Sequence, residues 1–509
     1  MDLPCTLADL IAAHPVDRVA LDAPGRPSLT FGALGRQAHE TVSSLNAFGI
    51  GRNDRVAVVL PNGPEMAAAF LAVGAGATVA PLNPAYREDE FHFYLDDLSA
   101  KALIVSEEED GPAVDAAARL GMPVLRLVGD EEQPAGSFSL LAEGTGGEST
   151  PVKGYAGAED TALVLHTSGT TSRPKIVPLS QANICASAEH IVQTLRLEPA
   201  DRGMNIMPLF HIHGLIANLL APMRAGTSVY CTAGFDAFRV FEWFADAEPT
   251  WYSAVPTMHQ AILARARRNT DITDALQLRF VRSSSSSLPP QVMRELETLF
   301  RCPVIESYGM TEAAHQMASN PLPPAERRAG SVGIAAGPDI AVMDETGRML
   351  APGETGEVVI RGPNVMAAYE NNPEANESAF SDGWFRTGDQ GIVDAGGYLT
   401  ITGRLKEIIN RGGEKISPRE VDEALMDHAA VQQVVTFALP HRTLGEEVAA
   451  AIVLAEGAEA SDSELREFAS ARLADFKVPR RIVFVDEIPK GATGKLQRIG
   501  LAEKLGLAP

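Results

Sequence analysis

The chain has 509 residues, more than one ordinary domain, and its 45% hydrophobic and 21% charged content is that of a globular protein with a large core. Its 66 acidic against 43 basic residues leave a formal net charge of -23. That balance excludes broad electrostatic binding to nucleic acid or to an anionic membrane, and any anionic small ligand must be held by local groups.

The four cysteines, Cys5, Cys185, Cys231 and Cys302, lack metal-ligand spacing and read as reduced thiols of a cytoplasmic protein. The N-terminus has no signal-peptide pattern and the C-terminus no targeting motif. In chain order, Arg55–Pro61 reads as a strand, Glu65–Val73 as a helix, and Ala102–Ser106 and Pro123–Gly129 as strands. The apolar run Met66–Leu82 reads as a buried helix entering a strand, not a membrane span. The stretch Gly129–Gly157 reads as surface loop. This alternation is the rhythm of α/β sheets covered by helices.

From Ile334 onward, short strands at Val342–Asp344, Glu357–Ile360 and Gly391–Val393 suggest a small β-rich subdomain. A compact α+β unit follows, with helices at Pro418–Leu425 and Asp462–Arg472. Its strands are expected at Val431–Ala438, Val448–Leu454 and Arg481–Val485. A boundary is expected at Arg404–Lys406, dividing a large domain (1–404) from a small one (405–509).

The segment Leu163–Lys175, LVLHTSGTTSRPK, feeds an apolar strand into Gly and hydroxyl residues and ends on a lysine. Converging N–H groups, hydroxyls and a lysine suit phosphate oxygens, although a generic cluster of this kind is also an ordinary surface loop. It is not a Walker A loop. Four further segments follow in order: YGMTE (Tyr308–Glu312), TGD (Thr387–Asp389), GRLKEIINRGGEKISPRE (Gly403–Glu420) and PKGATGK (Pro489–Lys495). Together the five resemble the signatures of the adenylate-forming superfamily, which includes acyl-CoA synthetases, luciferase and nonribosomal adenylation domains. One departure is Ser172-Arg173, where many members have Gly after TSGTT.

The resemblance implies a mobile C-terminal domain and two half-reactions. A carboxylate attacks ATP to give acyl-AMP and pyrophosphate, and a thiol then displaces AMP. It implies that Thr167, Ser168, Gly169, Thr170, Thr171 and Lys175 hold phosphates. Ser285, Ser286, Ser287, Glu306, Ser307, Tyr308 and Gly309 would lie on the nucleotide side, with Tyr308 against adenine. Thr311 would meet the α-phosphate and Glu312 would hold Mg²⁺. Asp389 with Arg404 would take the ribose, and Lys406 would be the hinge. Gly412, Gly413 and Lys415 would meet CoA, and Lys495 would neutralise charge during adenylation. No general base is needed, because the acid is already ionised.

The acid-side segments are PLFHIHGLIA (Pro208–Ala217), RSSSSSLPP (Arg282–Pro290) and TEAAHQMASN (Thr311–Asn320). Hydroxyls and imidazoles suit a small, polar, doubly charged acid, whereas a fatty acyl tunnel needs apolar lining. His211 matches the family's gate position, and His213, Ser284 and His315 are candidate substrate contacts. These segments look most like those of the oxalyl-CoA synthetases, which implies oxalate. Malonate, a medium-chain fatty acid and a carrier-protein thiol acceptor stay open as alternatives. The expected ligands are the acid, ATP, Mg²⁺ and CoA. Nucleic acid and membrane insertion are not expected, and the chain is expected as a monomer or homodimer.

The charge is unevenly divided. Arg404–Arg419 has five basic and two acidic residues, and Lys477–Arg498 has six and two. The segments assigned to phosphate are therefore locally basic inside an acidic chain.

Overall fold

A computed structural model describes residues 5–142, 152–167, 174–489 and 497–507. These residues form four sheets. The first has seven strands, with Arg55–Val59, Thr78–Pro81 and Ala102–Ser106 running parallel at its centre. Both faces of these central strands are buried, as expected for a sheet covered on two sides. One edge is Phe138–Ala142, antiparallel to Val124–Gly129. This strand corrects the expected Gly129–Gly157 loop. Its flanks are acidic and glycine-rich, which hid a five-residue segment with Phe138 buried and Ser139 and Leu141 exposed.

The second sheet has nine strands. Val304–Met310, Phe280–Ser283, Trp251–Ala254 and Arg202–Asn205 are successive parallel neighbours. Helices Pro64–Gly74 and Gln181–Leu195 share one core with both large sheets. The first begins on Pro64, and the second on Ser180, whose side chain accepts from Asn183 N–H. The Met66–Leu82 run is indeed a buried helix leading into the strand Thr78–Pro81. Among the described residues no helix is long and apolar enough to cross a membrane.

The third sheet is antiparallel and contains Asp339–Met343, Thr355–Arg361, Trp384–Val393 and Leu399–Arg404. Its long strand Trp384–Val393 exceeds the expected Gly391–Val393 because its alternating polar residues mask the apolar signal. A short turn, Leu405–Glu407, leads into the fourth sheet. The long hairpin there, Val431–His441 with Gly445–Leu454, buries both faces with period two. Val434, Val448 and Ala450 join one cluster, and Val435, Phe437 and Ala449 join another. The molecule thus has a large N-terminal and a small C-terminal domain, the latter with its own core.

Candidate active site

The site gathers where strands of the second and third sheets end. In the third sheet, Asp389 and Arg404 are direct cross-strand partners. This register puts the Arg404 Nε 2.8 Å from Asp389 Oδ1. The Tyr308 hydroxyl donates to the other oxygen, Oδ2. Asp389 is only 4% exposed, so its carboxylate is held by two donors in a fixed orientation. The Asp389 charge raises the Arg404 pKa still further, and burial raises that of Tyr308. Tyr308 therefore braces the acid, a role its expected place against adenine did not include.

Glu312 lies two residues past the strand Val304–Met310, in the short helical turn Thr311–Ala313, with Thr311 half-buried beside it. It is 6% exposed and accepts from the Tyr369 hydroxyl at 2.8 Å. Burial raises its pKa, and the Tyr369 hydrogen bond opposes that rise. The Lys175 Nζ sits 4.3 Å from the centre of the same Tyr369 ring. Burial lowers the Lys175 pKa, nearby Lys406 adds to this, and Glu312 opposes it. Lys175, Glu312, Tyr369 and Lys406 thus converge, although they come from four distant segments. Thr167, cross-strand partner of Lys175, completes this edge. Ser168, Gly169, Thr170 and Thr171 lie outside the described residues, as does Lys495.

Gly309 makes the turn toward Glu312 possible. A Cβ there would lie 1.6 Å from the His315 carbonyl oxygen, because the strand His315–Ser319 doubles back against it. Ala314 and His315 both have positive φ, +47° and +91°. Such backbone is costly for residues with side chains, and it turns the His315 ring back toward the second sheet.

There His315 stacks on His213, with ring centroids 4.9 Å apart and planes 17° off parallel. His213 begins a π-helical segment, His213–Leu220. Its Nδ1 is 3.0 Å from Ser285 Oγ and its Nε2 is 2.7 Å from Ser253 Oγ. Half-buried His211 lies just before, its Nδ1 accepting from the His213 N–H at 3.3 Å.

The five serines divide by backbone. The buried Ser284 hydroxyl donates to the Ser307 carbonyl, and Ser307 donates back to the Ser283 carbonyl. These bonds lace two strands together. Ser285, at φ +71°, breaks the strand's alternation and reaches His213 instead. Ser286 is exposed and Ser287 half-buried. Glu306 is buried, accepts from the Leu288 N–H at 3.0 Å, and has its pKa pushed up to about 7 by burial. It braces the serine loop from behind.

In the small domain, Gly412 (φ +62°) and Gly413 (φ +101°) form the tip of a hairpin between Ile409–Arg411 and Glu414–Ile416. Left-handed backbone at two successive positions favours glycine there. Lys415 is exposed on that hairpin. Sequence reasoning missed Tyr369, Ser253 and Arg282. Nothing around Tyr369 marks it; Arg282 stood at the head of the serine segment and carried the only charge in it.

The sequence pattern of the AMP-binding enzyme family matches residues 8–370, and that of its C-terminal domain matches residues 420–495. The chain belongs to the AMP-binding enzyme family. This AMP-binding enzyme is 43% identical to an oxalate–CoA ligase of Arabidopsis thaliana, over 97% of the chain and 96% of that protein. It is 42% identical to an oxalate–CoA ligase of Saccharomyces cerevisiae, over 89% and 87%. Its fold matches ATP-bound MatB from Rhodopseudomonas palustris with a TM-score of 0.87, 29% identity and 99% coverage of both chains.

Proposed function

We propose that this enzyme is an ATP-dependent, AMP-forming acid–CoA ligase whose acid is oxalate. One carboxylate of the acid attacks the α-phosphorus of ATP and expels pyrophosphate, leaving acyl-AMP. The CoA thiol then attacks the acyl carbon and expels AMP. The observation that carries the choice of acid is the group of buried His213, His315 and Ser253 with half-buried Ser285. Imidazoles and hydroxyls at this place favour a compact acid with a second polar end, and the similarity to oxalate–CoA ligases supports the same reading.

The remaining roles follow from chemistry. Asp389 can accept from both ribose hydroxyls while Tyr308 and Arg404 hold it still. Glu312 has one carboxylate oxygen engaged by Tyr369 and offers the other as a hard oxygen ligand. That fits Mg²⁺, which binds through few carboxylates and keeps phosphate oxygens and waters. Lys175 and Thr311 meet the phosphates by charge and by hydroxyl, and His211 gates the acid. Lys495 and the loop Ser168–Thr171 supply charge and donors at the reacting phosphate. The large domain ends at residue 404. Lys406 is the hinge about which the 405–509 domain turns, bringing Gly412, Gly413 and Lys415 to CoA.

The test is a panel of oxalate, malonate and octanoate with ATP, Mg²⁺ and CoA, scored by pyrophosphate release. Oxalate should give the highest kcat/KM. A clear preference for octanoate would overturn the reading of the pocket.

A further inference from the structure

Arg282 lies on the strand Phe280–Ser283, beside Ser253 of one neighbouring strand and Ile305 of the other. It is 0% exposed. Its guanidinium reaches Ser253 Oγ (3.2 Å), His213 Nε2 (3.4 Å), His315 Nε2 (3.1 Å) and Gln316 Oε1 (3.4 Å). Among the described residues its Nε has no partner. The guanidinium donates to all four, and among the described residues no carboxylate pairs with it. Burial pushes its pKa down to about 9, still above physiological pH, so it stays charged. A fully buried cation without a counter-anion is unfavourable, and among the described residues only hydrogen bonds to uncharged oxygens and imidazole nitrogens offset the cost.

Arginine only donates, so each group it meets must accept. His213 Nε2 and His315 Nε2 both face it, which leaves their ring protons on Nδ1. The chain is then consistent from end to end. Arg282 donates to Ser253, Ser253 donates to His213 Nε2, and His213 Nδ1–H donates to Ser285 Oγ. We propose that Arg282 selects for a second negative charge on the acid: it holds His213 and His315 through their Nε2 atoms and stores behind them the positive charge that a distal carboxylate neutralises. It acts through the imidazoles, as a positioning residue. The inference rests on the reading above, that the two histidines line the acid pocket.

The test uses the full-length enzyme and two acids of nearly equal shape, oxalate and its monoamide oxamate. Oxamate is measured as substrate or as competitive inhibitor. Arg282→Gln should raise the oxalate KM at least about ten-fold while the ATP KM and the oxamate constant stay within about two-fold, since only a second charge senses the loss. Arg282→Lys, which keeps the charge, should recover most of the oxalate affinity. Parallel changes for both acids, or a lysine variant no better than glutamine, would overturn the proposal. Nitrogen-15 spectra of histidine-labelled wild-type enzyme give a check that needs no variant. Protonated Nδ1 at His213 and His315 supports the inference, and protonated Nε2 at His315 overturns it. If the wild type ignores oxalate, the proposed function fails by itself, and the Arg282 test moves to the preferred diacid of the panel and its monoamide. If every diacid is refused, both fail.

Discussion

Tyr369→Phe removes a single oxygen, and the structure says what that oxygen does. It donates at 2.8 Å to a carboxylate that is 6% exposed. Phenylalanine fills the same volume, and the ring under Lys175 remains. The loss is therefore one hydrogen bond to a buried charge, worth about 1.5–3 kcal/mol. Expressed as affinity or rate, this is roughly ten- to hundred-fold. Burial already raises the Glu312 pKa and the Tyr369 bond opposes it, so the variant's pKa rises further. In its proposed role at Mg²⁺ Glu312 must be ionised, so activity should be lost first on the acid side and recover as pH rises. Half-maximal activity should also need more Mg²⁺. Stability carries the matching sign. A carboxyl whose folded pKa exceeds its unfolded value binds more protons when folded, so its penalty grows as pH rises through that interval. Thermal unfolding should therefore show a larger loss at pH 8 than at pH 5. The assay is pyrophosphate release across pH 5.5–9 with a Mg²⁺ titration at each pH. A kcat/KM within two-fold of wild type throughout would refute the role of the hydroxyl.

Three other outcomes are expected. Gly309→Ala places a Cβ 1.6 Å from a backbone oxygen, so the hairpin carrying Glu312 and His315 must open; destabilisation above about 4 kcal/mol is expected, and unchanged thermal unfolding would contradict it. His315→Ala should raise the oxalate KM by at least about ten-fold and leave the ATP KM nearly unchanged, read from initial rates with each substrate varied. Lys406→Pro restricts the backbone of the proposed hinge, so oxalate-dependent ATP–pyrophosphate exchange should persist while thioester formation falls; normal thioester turnover would remove Lys406 from that role.

The reaction class was legible in the chain because the residues proposed to carry it are contiguous. Tyr308, Thr311 and Glu312 lie within five residues, and Gly403–Glu420 holds Arg404, Lys406 and the glycine tip together. The buried strands Arg55–Val59 and Ala102–Ser106 were legible for a similar reason, since both faces are apolar and every residue reports burial. Phe138–Ala142 and the start of Trp384–Val393 were not, because half their residues face outward and the flanks are polar. The serine run shows the limit most clearly. Five identical letters cannot say which hydroxyl faces a ligand. A positive φ at Ser285 gives that hydroxyl to His213, while Ser284 is committed to the Ser307 carbonyl. Tyr369 reaches Glu312 across 57 positions, and Arg282 reaches His213 across 69. The sequence by itself determined the family, the reaction type and the local basic segments within a chain of net charge -23. Tertiary structure alone decided which groups surround the buried guanidinium, because that environment is made by strand register and loop reversal between segments far apart in the chain.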